Sequence, residues 1–176
     1  NRDNDHPYRF DSYFHYLTGF TEPEAVLVMV VGEKSRSILF CRPKNLEREI
    51  WDGFRHGPEA ARTLCGVNEA YSIEEFDQKL PELLGNQTAL WYSLANDPAF
   101  DERIFAALRT VRANSRSGIR APTEVRDIHA ALDDIRLFKD AHELDTMRRA
   151  AAITTDAHVR AMQATRPGRF EYEIEA

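Results

Sequence analysis

The chain has 176 residues, 43% of them hydrophobic and 30% charged, which is enough apolar material for a packed core and too much for a disordered chain. Its 23 Lys and Arg against 29 Asp and Glu leave a net charge of −6, which argues against a general nucleic-acid binder, because phosphate neutralisation needs a surplus of cations on some face. No apolar run approaches the ~20 residues that cross a bilayer, the first residues carry no signal-peptide pattern, and two cysteines, Cys41 and Cys65, fit neither a Cys-x-x-Cys site nor a disulfide scaffold, so reduced thiols and a cytoplasmic location are expected.

The aromatic-rich segment Tyr13 to Phe20 predicts a short strand or extended segment turning at Gly19. After a turn at Thr21 to Glu24, the continuous apolar run Ala25 to Val31 predicts a strand buried on both faces. Gly32 to Ser35 reads as a hairpin turn, with Ser37 to Cys41 as the antiparallel partner. Two adjacent, largely apolar strands imply helices on both faces of the sheet. Arg42 to Gly57 is mostly polar, carries Trp51 and predicts a loop with one helical turn. Pro58 to Cys65 reads as a helix stopped by Gly66, and Glu69 to Ser72 as a short strand. Ser72 and Glu75 form a capping box that opens a helix with Phe76, Leu80, Leu83 and Leu84 on its apolar face. Thr88 to Tyr92 is another strand, and Asp97-Pro98 opens a long helix with Phe100, Ile104, Leu108 and Val111 on one stripe. Asn114 to Pro122 reads as a polar loop, and Val125 to Leu137 as a helix. Asp140 and Glu143 signal a second cap, with a helix running to about Thr165 that spans roughly 35–40 Å. Arg169 to Ala176 resembles the start of a further helix with no cap, as expected of a piece of a longer protein.

Motifs for chemistry are sparse. His142-Glu143 begins a His-Glu-x-x-His pattern, but Thr146 stands where the second imidazole belongs. There is no Gly-x-Gly-x-x-Gly, no P-loop and no Gly-x-Ser-x-Gly elbow, and the six histidines show no metal-ligand spacing. The adjacent carboxylates Glu74-Glu75 and Asp133-Asp134 point apart on a helix and read as solvated faces or caps. By these residues alone the chain is an α/β domain without an active site.

Three stretches carry more. His6-Pro7-Tyr8-Arg9 through Tyr16-Leu17-Thr18-Gly19-Phe20-Thr21-Glu22-Pro23-Glu24-Ala25-Val26-Leu27 closely resembles the N-terminal domain of the bacterial aminopeptidase P family, the Xaa-Pro aminopeptidases. Glu49-Ile50-Trp51-x-Gly53-x-Arg55-x-Gly57 is similar to that family's tryptophan loop, and Asp134-Ile135-Arg136-Leu137-Phe138-Lys139 to a third motif. His6 and Phe10 depart from the usual tyrosine and glutamine. The Thr-Gly-Phe-x-Glu-Pro-Glu-Ala run favours this family over prolidase and creatinase, which share the architecture. A non-catalytic peptide- or protein-binding module is the other alternative, since an acidic domain suits a basic partner.

The resemblance implies a mixed sheet flanked by helices on both faces over residues 1–139. It also implies that residues 140–176 contribute the first long helix of a pita-bread catalytic domain. The family's catalytic domain holds two divalent metal ions, usually manganese, and the chain is expected to contain no metal ligand and no catalytic residue of its own. Implied partners are that catalytic domain, further subunits of a homo-oligomer, and peptides with proline at the second position, with neither nucleic acid nor membrane. Trp51, Arg116 and Asp3 are the residues that the resemblance places at the substrate cleft or a subunit interface: Trp51 as a flat apolar face for a proline ring, Arg116 as a bidentate donor, and Asp3 in the same polar network. Tyr8 and Arg9 are expected to anchor their segment.

Overall fold

The computed structural model describes residues 8–175. The chain divides into two compact units, Asn1–His129 and Ala130–Ala176. In the first, β1 (Val26–Val30), β2 (Arg36–Cys41) and β3 (Glu69–Ser72) form a three-stranded sheet in that order. β1 pairs antiparallel with β2, Val28 opposite Ile38, and β3 pairs parallel with β2, Tyr71 opposite Phe40. A second, parallel pair joins β4 (Ala89–Tyr92) and β5 (Glu124–Asp127).

The central strand explains the layering. Successive side chains of a strand point to opposite faces. Ile38 and Phe40 enter one core with Phe76, Leu80 and Leu84 of α4 (Phe76–Leu84) and with Ile104, Leu108 and Val111 of α5 (Pro98–Ala113). Leu39 and Cys41 enter the other with Phe20 and with Ala61 of α3 (Gly57–Cys65). The expected mixed sheet with helices on both faces is therefore present. The local punctuation holds as well. Ser72 and Glu75 form a reciprocal capping box, here opening a 3-10 turn over Ile73–Glu75 that runs into α4. Asp97 accepts hydrogen bonds from the Ala99 and Phe100 amides at the start of α5, and Gly66 closes α3 with φ 64°.

Four expectations need correction. Tyr13 to Phe20 is not a strand: α1 (Ser12–Thr18) forms there, because the Asp11 carboxylate accepts from the Tyr13 and Phe14 amides and Gly19 ends the turn at φ 66°. The run Ala25 to Val31 is not buried on both faces. Among the described residues β1 has one neighbouring strand, β2, and Met29 is 59% exposed. Arg42 to Gly57 is not a loop with a single turn but carries a seven-residue helix, α2 (Leu46–Asp52). Val125 to Leu137 is not one helix. Glu124–Asp127 pairs with β4, and α6 (His129–Leu137) starts after it, because a parallel partner distant in sequence overrides the helical spacing of Val125 and Ile128.

In the second unit, α7 (Ala141–Ala164) begins at Asp140, whose carboxylate accepts from the Glu143 amide while the Glu143 carboxylate accepts from the Asp140 amide, each at 2.8 Å. A short α8 (Glu171–Glu175) follows.

Phe40 is fully buried and meets Phe76 edge-on at 5.2 Å between ring centroids. Phe40→Ala is expected to lower stability by about 3–5 kcal/mol, read as the shift in a urea unfolding midpoint; a loss under about 1 kcal/mol would show that β2 is not the centre of the core.

Candidate functional site

The segment that joins β2 to α3 and ends at the first residue of α3, residues 42–57, exposes several large apolar side chains. α2 sits within it, capped by Asn45, whose side-chain oxygen accepts from the Arg48 amide at 3.0 Å, and ended by Gly53 at φ 80°. Trp51, in the last turn, is 84% exposed, and Leu46, Ile50 and Phe54 beside it in sequence are exposed as well. Leu46 and Ile50 are one helical turn apart and so share a face. These side chains put a group of large apolar residues on one exposed segment.

The backbone beneath this apolar group is held by polar staples. The Lys44 ammonium donates to the Arg55 carbonyl at 2.8 Å, pairs with Glu49 at 2.7 Å and lies 4.0 Å over the Phe54 ring. Arg55 pairs with Asp52 at 2.6 Å. Gly57, at φ +74°, passes so close to Lys44 that an added Cβ would stand 3.0 Å from the Lys44 Cβ. At the base lie two buried ions, Glu22 (8% exposed) and Arg42 (7%). One Glu22 oxygen accepts from the His56 amide at 2.7 Å and meets His56 Nδ1 at 2.5 Å, and the other is 3.6 Å from the Arg42 guanidinium. Sequence reasoning read Glu22 as part of a turn and of the family motif Thr18 to Ala25, with no role at this segment. The signal for its role was a carboxylate between the core residue Phe20 and the apolar strand β1.

Of the other expected site residues, Arg116 lies on the 3-10 turn Asn114–Ser117 after α5, with its side chain exposed. No hydrogen bond, ion pair or ring contact links it to Trp51 in the structure. Asp3 lies outside the described residues, while Tyr8 and Arg9 are both exposed. Sequence reasoning also missed a second polar cluster at the carboxyl ends of β4 and β5. There His129 Nδ1 is 2.8 Å from Asp127 and its Nε2 is 3.3 Å from the Ser93 hydroxyl. The His129 amide and ring hold the Asp127 carboxyl below its usual range. The same Asp127 oxygen accepts from the His129 amide, so this cluster caps α6. Among the described residues, no group of three or more His, Cys, Asp or Glu side chains converges on a metal position.

Comparison with known proteins places this geometry. The family described as the aminopeptidase P N-terminal domain matches residues 1–91, a span that takes in α1, the sheet and the whole of the Trp51 segment. The chain belongs to the aminopeptidase P N-terminal domain family. The Xaa-Pro aminopeptidase of Escherichia coli K12 is 39% identical over 98% of this chain and 40% of its own length. That of Haemophilus influenzae is 42% identical over 100% and 39%. The chain thus spans about two fifths of the length of these relatives. A solved structure of an Escherichia coli aminopeptidase P variant in complex with substrate superposes with a TM-score of 0.90 at 39% identity, over 99% of this chain and 40% of that one. Another, zinc-substituted and in complex with product, superposes at 0.91 with the same identity and coverage.

Two predictions follow from the burial pattern. Trp51→Ala is expected to leave the chain's unfolding free energy within about 1 kcal/mol of wild type, since little apolar contact is lost; a loss of ~3–5 kcal/mol would mark Trp51 as core. The two thiols should also differ. Burial, and then the Glu22 charge, pushes the Cys41 thiol up to about 11, whereas Cys65 is partly open and raised by burial alone. Alkylation near pH 8 followed by mass spectrometry is expected to mark Cys65 first and Cys41 only on unfolding. Equal labelling of both thiols in the folded chain would contradict the buried position of Cys41.

Proposed function

We propose that this chain is the N-terminal domain of a Xaa-Pro aminopeptidase, a dinuclear metallopeptidase that releases the first residue from peptides with proline second. In this reading residues 1–139 form the non-catalytic domain and 140–176 begin the catalytic one. The observation that carries the proposal is the 84%-exposed Trp51 on a stapled helix, in a chain that superposes over 99% of its length on 40% of a substrate-bound aminopeptidase P. An indole held open to solvent offers a flat face for a proline ring, and the staples around α2 keep it there when no substrate is bound.

Several features support the rest of the reading. α7 leaves Leu144, Met147, Ile153, Val159 and Met162 exposed, and the catalytic domain is the cover we assign to them. Arg116 supplies a cation for the substrate's carboxylate or an acidic partner group, and Asp3 joins the same polar network. The two metal ions, manganese in this reading, would be held by carboxylates and imidazoles of the catalytic domain and would supply Lewis acidity there. The chain itself contributes binding surface and subunit association within a homo-oligomer. A cytoplasmic location fits two unpaired cysteines. No helix among the described residues is long and apolar enough to cross a membrane.

The test uses the intact protein that carries this chain. It is expected to cleave Xaa-Pro tripeptides with manganese present, while the 176-residue chain alone shows no turnover. In the intact protein, Trp51→Ala is expected to raise KM for Xaa-Pro peptides longer than two residues by roughly tenfold and to change kcat less. Metal-dependent turnover by the purified chain, or an unchanged KM in the variant, would overturn the corresponding part.

A further inference from the structure

We propose that Glu22 is a positioning residue for Trp51: its carboxylate clamps together the two ends of the 42–57 segment and so fixes where the indole stands. The inference rests on the proposed role of Trp51 at the substrate cleft.

Arg42 follows the last residue of β2 directly, and His56 directly precedes α3. Everything between them, α2 and Trp51 included, projects from these two points. Both are fastened to one side chain. Glu22 Oε1 accepts the His56 backbone N–H at 2.7 Å and faces His56 Nδ1 at 2.5 Å, and Glu22 Oε2 lies 3.6 Å from an Arg42 nitrogen. A carboxylate suits this position because one oxygen accepts the His56 amide while the other sets its charge beside the Arg42 guanidinium. The anchor departs from the core. Phe20, two residues earlier, is 1% exposed in the core that also holds Leu39, Cys41 and Ala61, the strand and helix from which the two ends depart. The Phe20 ring also reaches the His56 ring at 5.9 Å, and Phe54 meets that ring edge-on at 4.9 Å.

The chemistry of the pair is informative. Glu22 and Arg42 are both buried, and Glu22 Oε2 and Arg42 Nε have no hydrogen-bond partner among the described residues. A buried ion pair with incompletely satisfied polar atoms is a weak source of stability compared with apolar packing of the same volume. What it supplies at this position is geometric: a fixed entry and exit for a segment that otherwise exposes its large side chains. The Lys44–Arg55 and Lys44–Glu49 contacts tighten the segment further out, but they are formed within it and do not tie it to the core.

The experiment uses a Trp91→Phe background, so that Trp51 is the sole indole of the chain's two. Time-resolved fluorescence anisotropy is measured on Glu22→Ala and Glu22→Gln, with far-UV circular dichroism, and with Trp91 emission in a Trp51→Phe background, to confirm the fold. In folded Glu22→Ala the residual anisotropy of Trp51 is expected to fall, and to fall less in Glu22→Gln, whose amide oxygen still accepts from the His56 amide. In the intact enzyme, Glu22→Ala is expected to raise KM for a Xaa-Pro tripeptide by roughly tenfold with a smaller change in kcat, and to add nothing in a Trp51→Ala background. Unchanged Trp51 anisotropy in a folded Glu22 variant overturns the clamp. So does a KM raised by Trp51→Ala but not by Glu22→Ala. A fall in anisotropy with KM unmoved by either substitution leaves the clamp in place and removes the proposed role of Trp51. Hydrogen exchange on the unsubstituted chain gives an outcome that no misfolded variant can obscure: the His56 amide should be protected with the core, and exchange as fast as that of the exposed neighbours of Trp51 overturns the clamp.

Discussion

Strand β2 is the constraint on which the rest depends. Leu39, Phe40 and Cys41 are fully buried in succession, so both faces of one strand need an apolar cover. The pleat sends Ile38 and Phe40 to α4 and α5 and sends Leu39 and Cys41 to Phe20 and α3. Two cores of unequal size share this one wall. The larger holds the helices that follow β3 and β4, and the smaller holds the roots of the Trp51 segment. Because Cys41 is the last residue of β2 and lies in the smaller core, the backbone leaves the sheet from a rigid point.

That rigidity makes an exposed apolar group tolerable. A helix showing Leu46, Ile50 and Trp51 to solvent gains little from burial, and seven residues are too few for a helix to be stable in isolation. What holds α2 is the set of contacts at its edges: the Asn45 cap, the Lys44 staples, the close passage of Gly57 and the buried Glu22 beneath. Most of these are polar or steric and leave the apolar side chains free for a partner. A binding element arranged in this way spends little conformational entropy when that partner arrives. The same logic applies to α7, where a reciprocal capping box fixes the start of a long helix whose apolar side chains are open.

Much of this organisation was legible in the residues. The capping boxes at Ser72 and Asp140, the Asp97-Pro98 start of α5 and the Gly66 stop are local signals, each read within a few residues of chain, and each is present. The strands Val26–Val30, Arg36–Cys41, Glu69–Ser72 and Ala89–Tyr92 also appear within a residue or so of where the sequence pattern puts them. The aromatic content of Tyr13 to Phe20 masks α1, whose local signals are the caps Asp11 and Gly19. The Trp51 segment was recognisable through its likeness to a family motif, but not its helix, since Leu46 to Asp52 has neither length nor a continuous apolar stripe.

The sequence by itself determined the ends of α3, α5 and α7, the apolar stripes of α4 and α5 and which family the chain resembles, because caps, periodicity and motifs act between near neighbours. Only the tertiary structure decided how β1 is paired, that Glu124–Asp127 is a strand, and that Glu22 ties Arg42 to His56. Among the described residues β1 pairs with β2 alone, and Glu124–Asp127 is a strand because β4 lies beside it. Glu22 meets its His56 donor across 34 residues of chain, a distance that no local pattern encodes. Contacts of that kind exist only once the chain has closed on itself, and here they hold Trp51 in place.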